Sequence, residues 1–128
     1  MSKYKNRTCW YEGLKFDSEY ERDYWIHLLA EERAGRISNL RRQVPYELIP
    51  AVWGEKVVHL KTKDKVVPVC RQKATHYYAD FVYTDAEGSE VVVDTKSAYT
   101  RKLADYCLKK KMMLAFKGIA IKEIVLKG

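Results

Sequence analysis

The sequence predicts an α/β domain, and more closely an α+β fold with two helices packed on a mixed sheet. Segments rich in Tyr, Val and Phe alternate along the chain with segments whose apolar residues recur at helical spacing. The predicted order is hairpin, helix, strands, helix and strand. Elements in this order bury their apolar faces most simply when the helices lie against the sheet.

The start of the chain is predicted to form a hairpin and then a helix. Two short β-like runs, 8–11 and 14–16, flank a Glu-Gly pair that is typical of a tight turn. Ser18 is a candidate N-cap, and Glu21 follows three residues later at the spacing of a capping box. Apolar residues then recur at helical spacing until Gly35, a residue type that commonly ends helices.

The middle of the chain is less regular. Residues 37–40 lead into a predicted strand over 44–49, which Pro45 is expected to interrupt. The stretch 51–73 is basic and irregular, and it is interpreted either as a projecting loop or as a long hairpin.

The clearest β pattern follows this stretch. Residues 77–84 and 90–95 are rich in Tyr, Val and Phe, and they are separated by a five-residue run typical of a turn. These features predict an antiparallel pair of strands in the centre of the sheet.

The C-terminal part is predicted to add a helix and a strand. The helix should begin within 97–101 and run to Phe116, and Gly118 should end it. Its apolar side is assigned to Leu103, Tyr106 and Leu114. Residues 119–126 are predicted to form the last strand.

The composition is that of one globular domain, assigned to residues 1–128. Hydrophobic residues make up 47% of the chain and charged residues 32%, which argues against a disordered tail. No apolar run approaches the ~20 residues of a membrane span, and the first ten residues lack the apolar segment of a signal peptide. The three cysteines are far apart and form no C-x-x-C pair. We therefore expect a cytoplasmic protein without a membrane partner.

The net charge of +7 is unevenly distributed along the chain. Segment 36–73 has nine basic and three acidic residues, and 101–128 has eight basic and two acidic ones. Segment 11–35 has seven acidic and three basic residues, and 74–100 has five acidic and one basic. This pattern favours a polyanion binder with a local acidic centre. A solvated surface of uneven charge is the alternative that charge counts leave open.

Two aspartates are predicted to face each other in the central strand pair. If Thr84 pairs with Glu90 across the turn, the antiparallel register places Asp80 directly opposite Asp94. Opposed residues have Cβ atoms ~5 Å apart, where two like charges are destabilising. Because side chains alternate along a strand, Lys96 lies on the same face as Asp94.

A pair of carboxylates beside a lysine suits divalent-metal chemistry. Mg²⁺ and Mn²⁺ prefer oxygen ligands and share them with a substrate phosphate. A lysine next to the metal can orient an attacking water and offset phosphate charge. The alternative is a plain Asp–Lys ion pair on an exposed face, because a D-x-K segment is common by chance.

Glu21 is a candidate third carboxylate. Its spacing from Trp25 and Leu28 places it on the side of the helix that should face the sheet. A buried carboxylate needs a metal or a hydrogen-bond donor. A capping role beside Ser18 accounts for Glu21 equally well, and the spacing leaves both interpretations open.

The order of these residues resembles that of the PD-(D/E)XK phosphodiesterase superfamily, with a helix-borne glutamate, two strand-borne acids with a lysine, and a basic helix. Within it, the chain is most similar to small nuclease-like proteins of phages and prophages, of Holliday-junction-resolvase type. The matching segments are Lys3-Tyr4-Lys5-Asn6, Phe16-Asp17-Ser18 with Glu21, Gln43 before Pro45, Tyr77 with Ala79-Asp80-Phe81, 91–96, Asp105-Tyr106, Leu108-Lys109 and Lys111.

The resemblance implies a restriction-endonuclease-like core and a nuclease whose cofactor is Mg²⁺ or Mn²⁺. By match, Asp80 and Asp94 would hold the metal, and Lys96 would position the attacking water. Glu21 would complete the metal or water shell. Gln43 matches a position near the site.

The chain departs from the family pattern at three places. Ala79 stands where the name-giving motif has proline, no Q-x-x-x-Y follows on the second helix, and 51–73 is longer than the pattern needs. These departures remove no catalytic group, but they leave the subfamily and the substrate open.

Basic residues on and around the second helix are predicted to bind nucleic acid through its phosphates. Lys109-Lys110-Lys111 spans nearly a whole turn, so at least one of these lysines must face the sheet side or its rim. The alternative is a solvated helix face, and it is favoured more for Lys110 and Lys117 than for Lys109. The predicted contacts are Lys109, Lys111, Arg101, Lys102, Lys73 and Gln43. The 51–73 segment is a candidate arm along the substrate.

The resulting hypothesis is a Mg²⁺- or Mn²⁺-dependent DNA endonuclease that acts on branched DNA in phage or prophage DNA metabolism. A domain of this size covers little of a four-way junction, so a symmetric homodimer is expected. Two alternatives come from other classes of protein. One is a non-catalytic nucleic-acid-binding module that keeps the fold, and the other is a regulatory protein that binds a protein through 51–73.

Overall fold

The structure, a computed structural model, describes residues 7–97 and 99–126. Its first half contains β1 (Cys9–Tyr11), β2 (Leu14–Phe16), α1 (Glu19–Arg33), β3 (Ser38–Ile49), β4 (Val52–His59) and β5 (Asp64–Gln72). Its second half contains β6 (Thr75–Thr84), β7 (Glu90–Ser97), a 3₁₀ turn (Thr100–Lys102), α2 (Ala104–Lys117) and β8 (Lys122–Leu126). Among these residues, no helix is long and apolar enough to cross a membrane.

A four-stranded mixed sheet, in the order β3-β6-β7-β8, organises the fold. β3 and β7 run antiparallel to β6, and β8 runs parallel to β7. β1 with β2, and β4 with β5, form two separate hairpins. The mixed α/β class predicted from the sequence is confirmed.

The two helices pack on opposite faces of the central strands. An apolar cluster on the α1 side contains Phe16, Trp25, Leu28, Phe81, Tyr83 and Val93. A cluster on the α2 side contains Leu48, Tyr77, Ala79, Val82, Val92, Tyr106, Met113 and Ile121. Because successive residues of a strand point to opposite faces, Phe81 and Val82 enter different clusters. The sheet therefore separates two core layers.

α1 begins where the sequence predicts. Ser18 is its N-cap, and the Ser18 Oγ accepts a hydrogen bond of 3.1 Å from the backbone N–H of Glu21. Gly35 follows the helix with a φ of +79°, a left-handed conformation that glycine adopts without steric cost. The ring of Trp25 stacks on that of Phe81 with centroids 5.8 Å apart, which fixes the face that α1 turns to the sheet.

β3 differs from the prediction, because it is one strand of 12 residues that continues through Pro45. Pro45 lies opposite Tyr78 in the ladder between β3 and β6. β3 is at the edge of the four-stranded sheet, and an edge strand tolerates proline because some of its N–H groups have no partner strand. The predicted interruption at Pro45 is therefore wrong.

α2 begins after the 3₁₀ turn and turns a narrow apolar stripe to the sheet. Its buried residues are Tyr106 and Met113, which lie seven positions, about two turns, apart. The assignment of Leu103 and Leu114 to the apolar side is wrong, because these side chains are 39% and 58% exposed. Leu114 directly follows Met113 and is therefore rotated by about 100° from the buried stripe.

The sequence left two structures open for the basic segment 51–73, a projecting loop and a long hairpin. The segment forms the long hairpin. β4 and β5 pair with each other and with no other strand of the described chain. The backbone N–H of Leu60 donates to the carbonyl oxygen of Lys63 at 2.9 Å and closes the turn. At the base of this hairpin Ile49 lies opposite Thr75, so the hairpin, here called the arm, is inserted between two paired strands.

Phe81→Ala is expected to lower the free energy of unfolding by about 3–5 kcal/mol, because the Phe81 ring is fully buried against Tyr24 and Trp25. Phe116→Ala is the matched control, since that ring is 61% exposed and its loss should change stability by less than about 0.5 kcal/mol. Urea unfolding measures both values. Equal effects of the two substitutions would contradict the assignment of the core.

Candidate functional site

The ladder between the two central strands ends at the predicted pair of aspartates. Its pairs run from Thr84 opposite Glu90 to Phe81 opposite Val93, which is the register predicted from the turn. β6 and β7 both continue past this point, but their next residues pair only with β3 and β8 respectively. The end of the ladder, flanked by Asp80 and Asp94, is here called the fork.

The side chain of Asp80 bridges the fork. Its Oδ2 accepts a hydrogen bond of 2.9 Å from the backbone N–H of Thr95 and one of 2.7 Å from the Thr95 hydroxyl. A backbone N–H in a strand ordinarily donates to a backbone carbonyl of the neighbouring strand. Here a carboxylate takes that place, so the divergence of the strands and the position of Asp80 depend on each other.

The alternation of side chains along β6 breaks at Asp80. Ala79 and Val82 both enter the α2-side cluster although three positions separate them, and strict alternation would place them on opposite faces. The register of β3, with Val44 opposite Ala79, places Gln43 opposite Asp80. Gln43 has a φ of +53°, an uncommon value for a residue other than glycine. Gln43, which was predicted to lie near the site, thus has an irregular backbone directly across from the irregularity at Asp80.

Asp94 is buried in the fork with an incomplete set of partners. Its side chain is 1% exposed. The Tyr77 hydroxyl donates to Oδ2 at 2.9 Å, and the Lys96 Nζ lies 3.4 Å from the same oxygen. Oδ1 is buried without a hydrogen-bond partner among the described residues. Since a buried anionic oxygen without a partner is unfavourable, Oδ1 requires a proton or a cation.

Lys96 lies at the rim of the fork, on the same face of β7 as Asp94, as predicted. Its side chain is 27% exposed, and its Nζ lies 4.9 Å from the centre of the Tyr106 ring. An ammonium over an aromatic face is attracted by the ring quadrupole. The carboxylate and the ring therefore orient Lys96 from two sides.

Two carboxyl groups of the site, those of Asp94 and Glu21, have raised pKa values. Burial raises the pKa of Asp94 to about 8, and neighbouring Asp80 adds to this, while Lys96 and Tyr77 oppose it. Burial, followed by the charge of Asp80, raises the pKa of Glu21 to about 7. The pKa values show that Asp80 lies close enough to interact with both other acids.

The backbone N–H of Glu21 takes part in the cap of α1, and its side chain faces the site. The Ser18 hydroxyl bonds to the backbone N–H of Glu21, whereas the Glu21 carboxyl is buried. The guanidinium of Arg42 opposes the increase in the pKa of this carboxyl. Arg42 itself lies over the Phe16 ring at 4.3 Å. The capping and site interpretations of Glu21 are therefore compatible.

The oxygens at the fork fit a divalent cation that shares its ligands with a substrate. Within the described ranges, no three His, Cys, Asp or Glu side chains come close enough together to hold a metal. Mg²⁺, however, is commonly bound by one or two carboxylates, with water and substrate phosphate completing the shell. Asp80 and Asp94 offer such a pair, and the partnerless Oδ1 of Asp94 is a free ligand atom.

A basic cleft of about 690 Å³ adjoins the fork through β8. It is lined by Arg101, Lys102, Cys107, Lys110, Lys111, Leu114 and Glu123. Glu123 lies opposite Asp94 in the parallel ladder and forms ion pairs with Lys110 and, at 3.6 Å, with Arg101. Burial would raise the pKa of Glu123, but these two cations lower it below its usual value.

The structure places the predicted phosphate-binding residues unevenly. Arg101, Lys102 and Lys111 line the cleft, whereas Lys109 does not. Lys110, for which a solvated position was favoured more than for Lys109, lines the cleft, because β8 places Glu123 beside it. Lys73 is exposed beyond the arm and lines no part of the cleft.

Some residues of the site were not predicted. Tyr77, which hydrogen-bonds Asp94, was assigned no such contact, although an aromatic hydroxyl in a buried strand needs a partner. Glu123 could have been noticed as the one acid in the last predicted strand. Arg42 carries no such signal, since its approach to the site depends on the stacking with Phe16.

A comparison with protein-family models finds one match that spans residues 1–126, to the family described as "Protein of unknown function (DUF1064)". The chain belongs to the DUF1064 family. No curated protein and no solved structure matches the chain. The matching segment Lys3-Tyr4-Lys5-Asn6 of the superfamily resemblance lies outside the described residues.

The free energy of unfolding of the metal-free DUF1064 protein is expected to fall as the pH rises through 7 to 8. Asp94 and Glu21 have pKa values of about 8 and 7 in the folded chain, against 3.8 and 4.5 without its environment. The folded state thus binds their protons more tightly, and this stabilisation is complete only below about pH 4. Asp94→Asn should flatten the pH dependence in urea unfolding measured in EDTA.

Glu87→Gln, a change in an exposed loop, is the control and should keep the wild-type pH dependence. An Asp94→Asn protein whose stability falls between pH 5 and 8 as steeply as that of the wild type would contradict the assignment of a proton to the buried carboxyl.

Proposed function

We propose that this protein is a DNA endonuclease that uses Mg²⁺ or Mn²⁺ to hydrolyse phosphodiester bonds. The observation that supports this most is the fork, where Asp80 and Asp94 meet beside Lys96 with one carboxylate oxygen lacking a partner. Buried like charges are costly unless a cation or proton compensates them. Ionisable groups held in such unfavourable surroundings are common at sites of catalysis.

We further infer that the core is restriction-endonuclease-like and belongs to the PD-(D/E)XK superfamily. The order of α1, the antiparallel pair β6–β7, α2 and the parallel strand β8 agrees with the order that the resemblance implies. The helices cover opposite faces of the sheet, and the candidate acids lie where its central strands separate.

The two aspartates share one task in this proposal and are oriented by different partners. Asp80, oriented by Thr95, and Asp94, oriented by Tyr77, would hold the metal between them. A bound Mg²⁺ or Mn²⁺ would polarise the phosphate and lower the pKa of a water molecule. The protein contributes orientation, because both carboxylates are fixed by hydrogen bonds before any substrate arrives.

Lys96 and Glu21 supply charge and proton transfer. The Lys96 ammonium, held between Asp94 and the Tyr106 ring, can donate a hydrogen bond to an attacking water and offset phosphate charge. Glu21 has a pKa of about 7, and a carboxyl poised near neutral pH is suited to accept or return a proton.

The basic cleft would hold the phosphates that flank the scissile bond. Arg101, Lys102 and Lys111 point cations into it, and Glu123 connects it to Asp94. Contacts of this kind give affinity without sequence preference. Branched DNA, such as a Holliday junction met in phage or prophage DNA metabolism in the host cytoplasm, is the proposed substrate. A chain this small would act on it as a homodimer.

A non-catalytic nucleic-acid-binding module is the second candidate. One observation favours it, namely that the described residues contain no cluster of three metal-ligating side chains. The basic cleft would serve such a module equally well.

The wild-type protein is expected to cleave plasmid or four-way-junction DNA when Mg²⁺ or Mn²⁺ is present and not in EDTA. Asp94→Asn and Lys96→Ala should each lower the cleavage rate by at least about 100-fold, because they remove groups placed at the reacting phosphate. Both variants should still bind the DNA in EDTA. Labelled linear, flap and junction substrates in one gel assay measure the rates.

Lys117→Ala, at the end of α2 and outside the cleft, is the control and should cleave at the wild-type rate. If the wild type binds these DNAs but cleaves none of them with either metal, the endonuclease proposal fails and the binding module takes its place.

A further inference from the structure

The strands of the arm place their basic residues on one face and their acidic residues on the other. The ladder places Lys56 opposite Val67 and Val57 opposite Val66. Because side chains alternate along each strand, the residues divide into two sets. The basic face carries Gly54, Lys56, Val58, Lys65, Val67, Val69 and Arg71. The other face, here called the apolar face, carries Trp53, Glu55, Val57, His59, Asp64, Val66, Pro68 and Cys70.

The basic face has cations and no acids. Lys56, Lys65 and Arg71 are exposed, and none of them forms an ion pair with a described residue. The two acids of the arm lie on the other face, where Asp64 is bound to His59 at 2.7 Å. The positive charge of this face is therefore uncompensated.

A glycine gives Arg71 its place on this face. A Cβ built on Gly54 would lie 2.0 Å from the Arg71 Nε, so a side chain at position 54 would displace the arginine from its place over the opposite strand. Along a strand two residues span about 6.8 Å. Arg71, Lys56 and Lys65 thus follow one another along the ribbon as a row of cations.

The dimensions of the arm suit a DNA groove. Strands of eight and nine residues extend over about 27–31 Å, and the major groove, about 12 Å wide, admits a two-stranded ribbon. An isolated hairpin is marginally stable in water, and the arm pairs with no other described strand. A partner that neutralises the basic face would therefore also stabilise the arm.

We propose that the arm binds duplex DNA through its basic face, next to the DNA held at the fork. Thr75 at the base of the arm is five residues from Asp80, about 17 Å along β6, so a duplex at the fork reaches the arm within one helical turn. The choice of DNA among polyanions rests on the proposed function. The apolar face, with two acids, lacks the charge complementarity that the basic face has for DNA.

The test compares the two faces in the full chain. Binding of a fluorescent 30-base-pair duplex is measured by anisotropy in EDTA between 50 and 200 mM salt. Lys56→Gln with Lys65→Gln should weaken binding at least about tenfold and reduce the slope of log K against log salt by about 1.8, or 0.9 per lost phosphate contact. Adding Arg71→Gln should reduce the slope by about 0.9 more.

Val57→Thr with Val66→Thr, on the apolar face, is the matched control, and it should bind as the wild type does with the same oligomeric state by light scattering. The proposal is overturned if the lysine variants bind DNA like the wild type. It is equally overturned if only the valine variant changes, with loss of a dimer, because the arm would then be a surface between two copies.

Cleavage in Mg²⁺ is measured separately, so that the two proposals fail separately. Weaker binding of the lysine variants in EDTA supports the arm even if the wild type cleaves nothing. If the wild type and the lysine variants cleave DNA at the same rate and bind it with the same affinity, the proposal for the arm is overturned and the endonuclease proposal is unaffected.

Discussion

The hydrogen bonds from Thr95 to Asp80 are the interaction on which the site depends. They replace a backbone pair at the end of the β6–β7 ladder, so the two strands separate while remaining joined by a carboxylate. On its other edge β7 pairs in parallel with β8, and this pairing places Glu123 beside Asp94. β7 thus connects the fork, on its β6 edge, with the basic cleft that Glu123 of β8 lines.

The replacement of a backbone acceptor by the Asp80 carboxylate has an electrostatic consequence. Asp80 lies close to two other carboxyls, that of Asp94 in the fork and that of Glu21 on α1, and burial raises the pKa of both of these. The nearest cation, Lys96, compensates Asp94 only in part. Protons balance the remaining charge, and this makes the site responsive to pH. The proposed cation would have to displace these protons in order to bind.

Local rules predicted much of this arrangement. The turn length predicted the register of the β6–β7 ladder, which ends at Phe81 opposite Val93 and leaves Asp80 and Asp94 on the two sides of the fork. A capping pattern located Ser18 at the start of α1. Contacts between distant segments were not predictable in the same way. Lys110 enters the cleft only because β8 supplies Glu123, and the break in alternation at Asp80 depends on its neighbours in two strands rather than on its own residue type.

The most direct test of the central claim, that the fork is a cation site, is calorimetric titration of the folded protein with Mn²⁺ at pH 7 in buffers of different ionisation enthalpy. The account predicts saturable binding with release of protons, because the metal must displace protons held by carboxyls with raised pKa values. Binding should be lost in Asp94→Asn. Absence of binding in the wild type, or undiminished binding with no proton release in Asp94→Asn, would contradict the account.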